Sequence, residues 1–270
     1  MQIDLRNKTA IVTGSTSGIG FAIAKGLAGT GANVVINGRT QSRLDKSIAR
    51  LRKDVASLPL ENKAEIRGVI GDLSTVEGFE QITKEVSHAD ILVNNLGIFE
   101  PKPFFEIPDE DWERFYQVNV MSAVRMSRHY TPKMVERGWG RVMFLSSESG
   151  VAIPAEMVHY GVTKTALLAV SRGLAETVAG TGVTVNAILP GPTASDGVAQ
   201  FVKDLARDGN KSVEQVEKKF FEEVRPTSLI KRFETVEEIA NMAVFVSSKE
   251  ASGVTGAALR VDGGVVRSII

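Results

Sequence analysis

The chain has 270 residues, and its 32 Lys and Arg balance its 32 Asp and Glu to a formal net charge of zero. This length suits one α/β domain, and the balanced charge gives no overall basic field to attract nucleic acid or an anionic membrane. Cysteine is absent, which excludes disulfides, thiol nucleophiles and cysteine metal sites. Without a signal core or a run of transmembrane length, we expect a cytoplasmic protein with no nucleic-acid or membrane partner.

In chain order, short apolar runs alternate with longer helical patterns. Strands are predicted at 8–13, 33–37, 64–71, 90–94, 140–146, 183–189 and 257–261, and helices at 18–30, 41–56, 75–86, 109–137, 158–179 and 236–247. Most of the strands are continuous apolar runs, as a parallel sheet covered on both faces requires. Repeated β–α units predict an α/β fold: a Rossmann-type doubly wound parallel sheet of about seven strands, flanked by helices on both faces, with 1–270 as one domain.

A glycine-rich segment lies between the first strand and the first helix. It comprises Gly14, Ser15, Thr16, Ser17, Gly18, Ile19 and Gly20. Glycines let the backbone approach a pyrophosphate closely, and a helix N-terminus offers N–H donors and a favourable dipole. The strand–turn–helix context favours a dinucleotide site over a tight turn that binds nothing.

A tyrosine and a lysine lie four residues apart, at Tyr160 and Lys164. This spacing places both side chains on one helix face, one turn apart. A protonated lysine near a phenol lowers the tyrosine pKa from about 10 toward the range of a general acid/base. Alone, the pair is also common on exposed helix faces, so its interpretation depends on the glycine-rich segment upstream.

These motifs and others downstream give the chain a resemblance to the short-chain dehydrogenase/reductase family, in its single-domain branch. The resemblance includes the 3-oxoacyl-[acyl-carrier-protein] reductase-like members and covers essentially the whole chain. The matching residues are those at 13–20, Asp72, Asn94, Asn95, Gly97, Asn119, Ser147, Tyr160, Lys164, Pro190, Gly191 and 261–264. Leu96 departs from the pattern, because the family usually has alanine there.

The end of the second strand bears on cofactor choice. Proteins of this fold that prefer NAD place a carboxylate there, whereas this chain has Gly38 followed by Arg39. A guanidinium suits a 2′-phosphate through charge-assisted hydrogen bonds. We therefore expect NADP(H) as the preferred cofactor, with NAD(H) as the second candidate and a plain surface arginine as the alternative interpretation.

The resemblance also implies further cofactor contacts after the third, fourth and sixth strands. These residues are Asp72, Leu73, Asn95, Gly97, Pro190, Gly191 and Thr193, together with Tyr160 and Lys164. By the resemblance, Asp72 contacts the adenine and Thr193 the nicotinamide carboxamide. From the local sequence alone, Asp72 could equally cap a helix, and the asparagines and prolines could equally stabilise turns.

By the same resemblance, the reaction is hydride transfer between a nicotinamide cofactor and a ketone or aldehyde. Tyr160 gives its proton to the developing oxyanion, and Lys164 supports Tyr160 and binds the nicotinamide ribose. Ser147 orients the carbonyl oxygen, with Ser146 and Ser149 as alternative serines. Asn119 anchors a water in a proton relay; the alternative is a buried amide satisfied by protein groups. No metal is expected.

The long segment between the sixth strand and the last helix carries two amphipathic patterns. One comprises Val198, Phe201, Val202 and Leu205, and the other comprises Val213, Val216, Phe220, Phe221 and Val224. They predict two helices packed on the domain, and the resemblance implies a substrate lid at about 193–231.

Several questions about function stay open at this level. The substrate could be a 3-oxoacyl thioester, a steroid-like ketone, a sugar ketone or a small diketone. A regulator or scaffold that binds the cofactor without turnover is the main alternative to an enzyme. We expect a homotetramer, or else a homodimer, because 109–137 and 158–179 carry apolar residues beyond those that face the cofactor; 257–261 offers a second apolar patch.

Overall fold

A computed structural model describes residues 3–56, 64–209 and 212–269, with the side chains of residues 200, 201, 204, 205 and 208 left out. At its centre is a sheet in which all seven strands are parallel, in the order β3–β2–β1–β4–β5–β6–β7. The strands are β1 Thr9–Val12, β2 Asn33–Gly38, β3 Ile66–Ile70, β4 Ile91–Asn94, β5 Gly140–Leu145, β6 Val183–Pro190 and β7 Ala258–Val261. The predicted fold class is confirmed, although β3 is shorter than expected at both ends.

The helices alternate with the strands as predicted up to β6. They are α1 Gly18–Gly29, α2 Gln41–Ala56, α3 Val76–Glu85, α4 Asp109–Tyr116, α5 Ser122–Glu136, α6 Val158–Thr177, α7 Asp196–Asp208, α8 Val213–Lys219 and α9 Val236–Ser247. Two apolar clusters lie on opposite faces of the sheet. One includes buried residues of α1, α2 and α9, and the other includes residues of α3, α5 and α6. The central strands are therefore apolar on both sides, as their sequences indicate.

The region expected to form one helix over 109–137 is divided in the structure. A π-helical turn, Gln117–Met121, separates α4 from α5, so the uninterrupted helix was a wrong prediction. The backbone continues in helical geometry through the turn, with αR dihedral angles at Gln117 and Ser122. Such turns often lie at functional sites, and this one contains the candidate residue Asn119.

The segment expected to form a lid contains α7, α8 and a second π-helical turn, Phe220–Val224. Val202 and Phe221 are buried, and Phe220, Phe221 and Phe233 stack with centroids 5.0–5.1 Å apart. This stacking fixes the end of the segment to the loop before α9. The side chains of Phe201 and Leu205, which belong to the first predicted apolar pattern, lie outside the described residues.

Candidate active site

The glycine-rich loop connects β1 to α1 at the carboxyl edge of the sheet. Gly14 and Gly18 have φ values of 60° and 58°, in the left-handed region that glycine tolerates best. Ser17 precedes α1 in extended geometry, and no side chain caps the helix there. The first N–H groups of α1 therefore point outward as donors, which is the arrangement that binds phosphate in this fold.

Asn95 holds this loop against the end of β4. Its side-chain nitrogen donates to the carbonyl oxygens of Thr13 and Gly14, at 3.0 Å each. A Cβ atom on Gly20 would lie 2.4 Å from the same nitrogen and 2.7 Å from the Gly14 oxygen. Glycine at position 20 is therefore required by close packing, and Asn95 supports the loop from behind.

Two residues predicted to bind the cofactor have their side chains turned into the protein. Ser15 is fully buried; its hydroxyl donates to the Val12 carbonyl and accepts from the Asn37 N–H, so it fixes the loop to β2. Leu73 is buried in the apolar cluster on the α3 face. Ser15 lies in the glycine-rich loop and Leu73 follows β3, as predicted. Because both side chains are buried, only the backbone groups of these residues are available to contact a cofactor.

Asp72 lies just after β3 and accepts hydrogen bonds from the backbone N–H and hydroxyl of Ser74, at 3.0 and 2.6 Å. Helix α3 starts later, and Thr75 is its N-cap, accepting from the Gly78 N–H. The alternative interpretation of Asp72 as the helix cap is therefore wrong, because Thr75 has that role.

Gly38 is the last residue of β2, and Arg39 follows it on the surface. A Cβ atom on Gly38 would lie 2.5 Å from the Thr16 methyl group, so the glycine lets the phosphate loop pack against β2. Within the described ranges, no hydrogen bond or ion pair holds the exposed guanidinium of Arg39. A cation next to the glycine-rich loop is thus available to an anionic ligand.

Tyr160 and Lys164 lie one turn apart in α6, as predicted. The Lys164 ammonium lies 5.5 Å from the centroid of the Tyr160 ring and donates to the Leu145 carbonyl at 2.8 Å. Burial lowers the pKa of Lys164 to about 8 and raises the pKa of Tyr160 to about 12, although hydrogen bonding to Ser147 opposes the second shift. The predicted downward shift of the tyrosine pKa is therefore wrong for this structure, because desolvation outweighs the neighbouring charges.

The three candidate serines after β5 have different roles in the structure. The hydroxyl of Ser146 donates to the Lys164 carbonyl at 2.7 Å and so ties β5 to α6. The Ser147 hydroxyl accepts from the Ser149 N–H at 3.1 Å, and the same side chain acts to lower the pKa of Tyr160. Of the three serines, Ser147 is the one whose side chain acts on the pKa of Tyr160, and Ser149 is buried next to it.

Asn119 is fully buried in the π-helical turn, and its side chain bonds to protein groups on both its nitrogen and its oxygen. Its amide nitrogen donates to the Ile98 carbonyl and the Thr163 hydroxyl, and its oxygen accepts from the Ile98 N–H. A Cβ atom on Gly97 would lie 3.3 Å from the Lys164 nitrogen and 3.5 Å from the Asn119 oxygen. The structure thus brings Asn119 and Gly97 close to Lys164.

Pro190 is the last residue of β6, and the loop that follows contains Gly191 and Thr193. Thr193 is buried, and its hydroxyl donates to the Gly191 carbonyl at 2.9 Å. Gly191 donates its N–H to the carboxylate of Glu234 at 3.0 Å, and Thr193 and Glu234 form a parallel β-bridge. Glu234, which the sequence analysis missed, therefore holds this loop; desolvation raises its pKa to about 7.

A second missed group connects the segment after α8 to the chain near Ser147 and Tyr160. Arg225 follows the Phe220–Val224 turn, and its guanidinium bonds the carboxylates of Glu148 at 2.9 Å and Glu156 at 3.1 Å. Glu148 is the neighbour of Ser147, and Glu156 lies four residues before Tyr160. These contacts span 77 and 69 residues, so no local pattern in the sequence indicates them.

His159, next to Tyr160, is fully buried with its ring 4.1 Å from that of Phe115 and 6.0 Å from that of Trp112. Burial lowers its pKa, which favours the neutral ring. Its place among aromatic rings is structural. Among the described residues, no group of three or more potential ligands is arranged to hold a metal ion.

The residues at this edge fit a nicotinamide dinucleotide. The left-handed glycines and the uncapped start of α1 suit a pyrophosphate, Arg39 suits an anionic group beyond the end of β2, and Gly97 leaves space beside Lys164. Leu96 lies close behind Gly14, with its Cα 3.1 Å from where a Gly14 Cβ would be. The departure at Leu96 therefore falls on the wall of this cleft, next to the phosphate loop.

Comparisons with known proteins agree with this geometry. A family model described as enoyl-(acyl carrier protein) reductase matches residues 14–266. The uncharacterized oxidoreductase YvaG of Bacillus subtilis is 47% identical, with 100% of both chains covered. A D-beta-hydroxybutyrate dehydrogenase of Rhizobium meliloti is 34% identical over 95% of this chain and 98% of its own.

Among solved structures, the L-sorbose reductase of Gluconobacter frateurii, determined with NADPH and L-sorbose, superposes with a TM-score of 0.91. It is 33% identical, with 100% of both chains covered. The matches extend over the sheet, the glycine-rich loop and the segment after β6 rather than over a fragment. The chain therefore belongs to the short-chain dehydrogenase/reductase family and is an oxidoreductase acting on hydroxyl and carbonyl groups.

Proposed function

We propose that the protein interconverts a ketone or aldehyde and the corresponding alcohol with NADP(H), through Tyr160, Lys164, Ser147 and Asn119. The observation that carries this proposal is the buried ammonium of Lys164, 5.5 Å from the centroid of the Tyr160 ring, with the Ser147 side chain acting on the same phenol. Two adjacent hydroxyls are what a carbonyl oxygen needs, since one can orient it while the other supplies a proton.

A bound nicotinamide dinucleotide supplies or accepts the hydride, and the protein's own groups do the rest. Ser147 donates a hydrogen bond to the carbonyl oxygen, and Tyr160 transfers its proton to that oxygen as negative charge develops. The high pKa of Tyr160 keeps it protonated at neutral pH, which suits an acid in the direction of reduction. Lys164 is close enough to stabilise the phenolate that remains.

Asn119 acts through its neighbours in this proposal. By bonding both backbone groups of Ile98, it fixes the chain that follows Gly97. By bonding the Thr163 hydroxyl, it fixes the residue next to Lys164. The π-helical turn places Asn119 between the two, and its side-chain bonds to protein groups favour the alternative of a satisfied buried amide that positions its neighbours over that of a water anchor.

We assign the preference for NADP(H) to Arg39. The exposed guanidinium has no carboxylate partner among the described residues, and Gly38 supplies no carboxylate to repel a phosphate. NADPH is present in the related sorbose reductase structure, and NADP in that of a putative gluconate 5-dehydrogenase 31% identical to this chain. NAD(H) is expected to bind more weakly at the same site.

The test is the oxidation of NADPH, followed at 340 nm, with a panel of ketones and aldehydes and with binding of NADPH measured in parallel. The proposal expects turnover that Ser147→Ala reduces sharply, whereas Ser146→Ala affects stability more than turnover. A protein that binds NADPH and reduces no carbonyl would instead be a regulator or scaffold, the alternative class.

We also propose a homotetramer, with a homodimer as the smaller alternative. Leu167 is buried within the chain, but Val162 on α6 is 42% exposed, and Ala166 and Val170 are only partly buried. Edge strand β7 is much less buried than the central strands. A second copy on α6 and another on β7 would cover these surfaces through two two-fold axes.

Light scattering at micromolar concentration tests the assembly. The proposal expects a mass of about four chains of 29.1 kDa, and a charge introduced as Ala166→Asp should lower it. A wild-type mass of a single chain would overturn the assignment.

No helix in the described part of the chain is long and apolar enough to cross a membrane. The proposal also retains the cytoplasmic location expected from the sequence.

A further inference from the structure

Next to the proposed reacting centre lies a charged group that the proposed chemistry does not use. We call Glu148, Arg225 and Glu156 the carboxylate–arginine cluster. Glu148 is 4% exposed and is covalently adjacent to Ser147. A charge buried to this extent needs partners, because its desolvation is costly.

Within the described residues, only one of the two oxygens of the Glu148 carboxylate accepts a hydrogen bond. Its Oε1 accepts from the Arg225 Nε at 2.9 Å. Its Oε2 is buried and has no hydrogen-bond partner among residues 3–56, 64–209 and 212–269. A buried, unpartnered carboxylate oxygen is rare in proteins, and one that lies beside a reacting centre is suited to accept a hydrogen bond from a ligand.

The contacts of the cluster place it near Tyr160. Glu148 directly follows Ser147, and Arg225 bonds both Glu148 and Glu156, which lies four residues before Tyr160. Glu156 lies on the turn that leads into α6, and Arg225 joins it to Glu148 across the site. The exposed ring of Phe99 lies 6.3 Å from the Tyr160 ring and adds an apolar surface beside it.

The net charge of the cluster restricts the ligand. Two carboxylates and one guanidinium sum to one negative charge, and the guanidinium is already engaged by both carboxylates. An anionic substrate would be repelled, and no cation of the cluster remains to pair with it. A neutral substrate with a hydroxyl group could donate to Glu148 and satisfy the buried oxygen.

We propose that Glu148 binds a hydroxyl group of the substrate, so that the protein selects neutral hydroxylated ketones, of the sugar-ketone class, over plain ketones and keto acids. This inference rests on the proposed function and deepens it. Arg225 positions Glu148. Because Arg225 belongs to the segment that follows α8, it also links Glu148 to the proposed lid. The sugar ketone in the related sorbose reductase structure is of the same chemical class.

Two pairs of small substrates of nearly equal size test the selection. Hydroxyacetone and butanone differ by a hydroxyl in place of a methyl group, whereas pyruvate and 2,3-butanedione differ by a carboxylate in place of an acetyl group. A hydrogen bond to a buried charged group predicts a kcat/KM ratio of roughly tenfold or more in favour of hydroxyacetone. Pyruvate should be reduced less well than 2,3-butanedione by a similar factor.

Glu148→Gln and Glu156→Gln form the matched pair of variants. Both remove one negative charge from Arg225, but only Glu148→Gln changes the buried oxygen. Glu148→Gln should bring the kcat/KM ratio of each substrate pair to within about threefold of one, mainly through KM. Glu156→Gln should leave the ratio of hydroxyacetone to butanone near the wild-type value. Thermal melting and NADPH binding establish that each variant is folded.

The outcomes separate this inference from the proposed function. Wild-type protein that reduces both members of the first pair equally well overturns the inference and leaves the reductase proposal standing. The same holds if folded Glu148→Gln keeps the wild-type ratios, or if both variants change the hydroxyacetone ratio equally. Wild-type protein that binds NADPH and reduces none of the four overturns the proposed function and this inference with it.

Discussion

The ammonium of Lys164 donates a hydrogen bond to the backbone carbonyl of Leu145, the last residue of β5, at 2.8 Å. This contact places the ammonium beside the strand end from which Ser147 emerges, rather than in solvent along α6. The buried position explains why the pKa of Lys164 falls to about 8. Moderately alkaline pH therefore removes the positive charge of Lys164, which we propose supports Tyr160.

The pH profile of carbonyl reduction follows from these two shifts. Tyr160 holds its proton up to a pKa of about 12, whereas Lys164 loses its charge as the pH rises through about 8. We expect kcat/KM for reduction to be level from pH 6 to 7 and to fall about tenfold per pH unit well above 8. A profile measured at saturating NADPH that stayed level to pH 9.5 would show that the charge of Lys164 is not required.

Substitution of Arg39 should separate the two cofactors. A charge-assisted hydrogen bond contributes about 1.5–3 kcal/mol, or roughly one to two powers of ten in affinity. Arg39→Ala should therefore weaken NADPH binding by that factor and change NADH binding little, as measured by titration of cofactor fluorescence. Arg128→Ala, on the exposed surface of α5, is the control for loss of one positive charge. Equal weakening of both cofactors would contradict the assignment.

Glu234 predicts a pH-dependent stability. Desolvation raises the pKa of its carboxyl from 4.5 to about 7 in the fold. Because the folded state favours the protonated form, this contribution is fully present below pH 4.5 and is lost as the pH rises through 7. Glu234→Gln, which mimics the protonated form, should match the wild-type Tm near pH 4.5 and exceed it at pH 8, by on the order of a few degrees.

Glu238 serves as a control in the same measurement, because its ionised form has the opposite effect on stability. Hydrogen bonds from Arg232 hold the pKa of Glu238 down at about 2, so its ionised form stabilises the fold above pH 4.5. Glu238→Gln should therefore lower the Tm at pH 8. If Glu234→Gln also lowers the Tm at pH 8, then ionised Glu234 stabilises the loop through its Gly191 contact more than its burial costs.

The sequence was sufficient to predict the parallel sheet and the structural position of the residues proposed to form the site. Continuous apolar strands, the glycine-rich loop at 14–20 and the four-residue spacing of Tyr160 and Lys164 are local features, and local geometry determines them. The π-helical turn at Gln117–Met121 was missed, because one additional residue in a helix leaves no clear periodic signal.

Other properties depend on tertiary packing, which no local pattern encodes. The inward turn of the Ser15 hydroxyl depends on Asn37, and the support of Gly191 depends on Glu234, 43 residues away. The direction of the Tyr160 pKa shift was predicted wrongly, because burial could not be judged from the spacing of two residues. The pairing of Arg225 with Glu148 belongs to the same class of long-range contact.

The role of Tyr160 as proton donor is the central claim, and single-turnover reduction by Tyr160→Phe tests it most directly. The hydroxyl is lost while the ring and its contact with Phe99 are kept. We expect NADPH affinity within a fewfold of wild type and a hydride-transfer rate lower by about 10²–10⁴. Tyr116→Phe, the same change at an exposed residue of α4, should behave as wild type. A Tyr160→Phe protein that keeps most of the wild-type rate would contradict the mechanism.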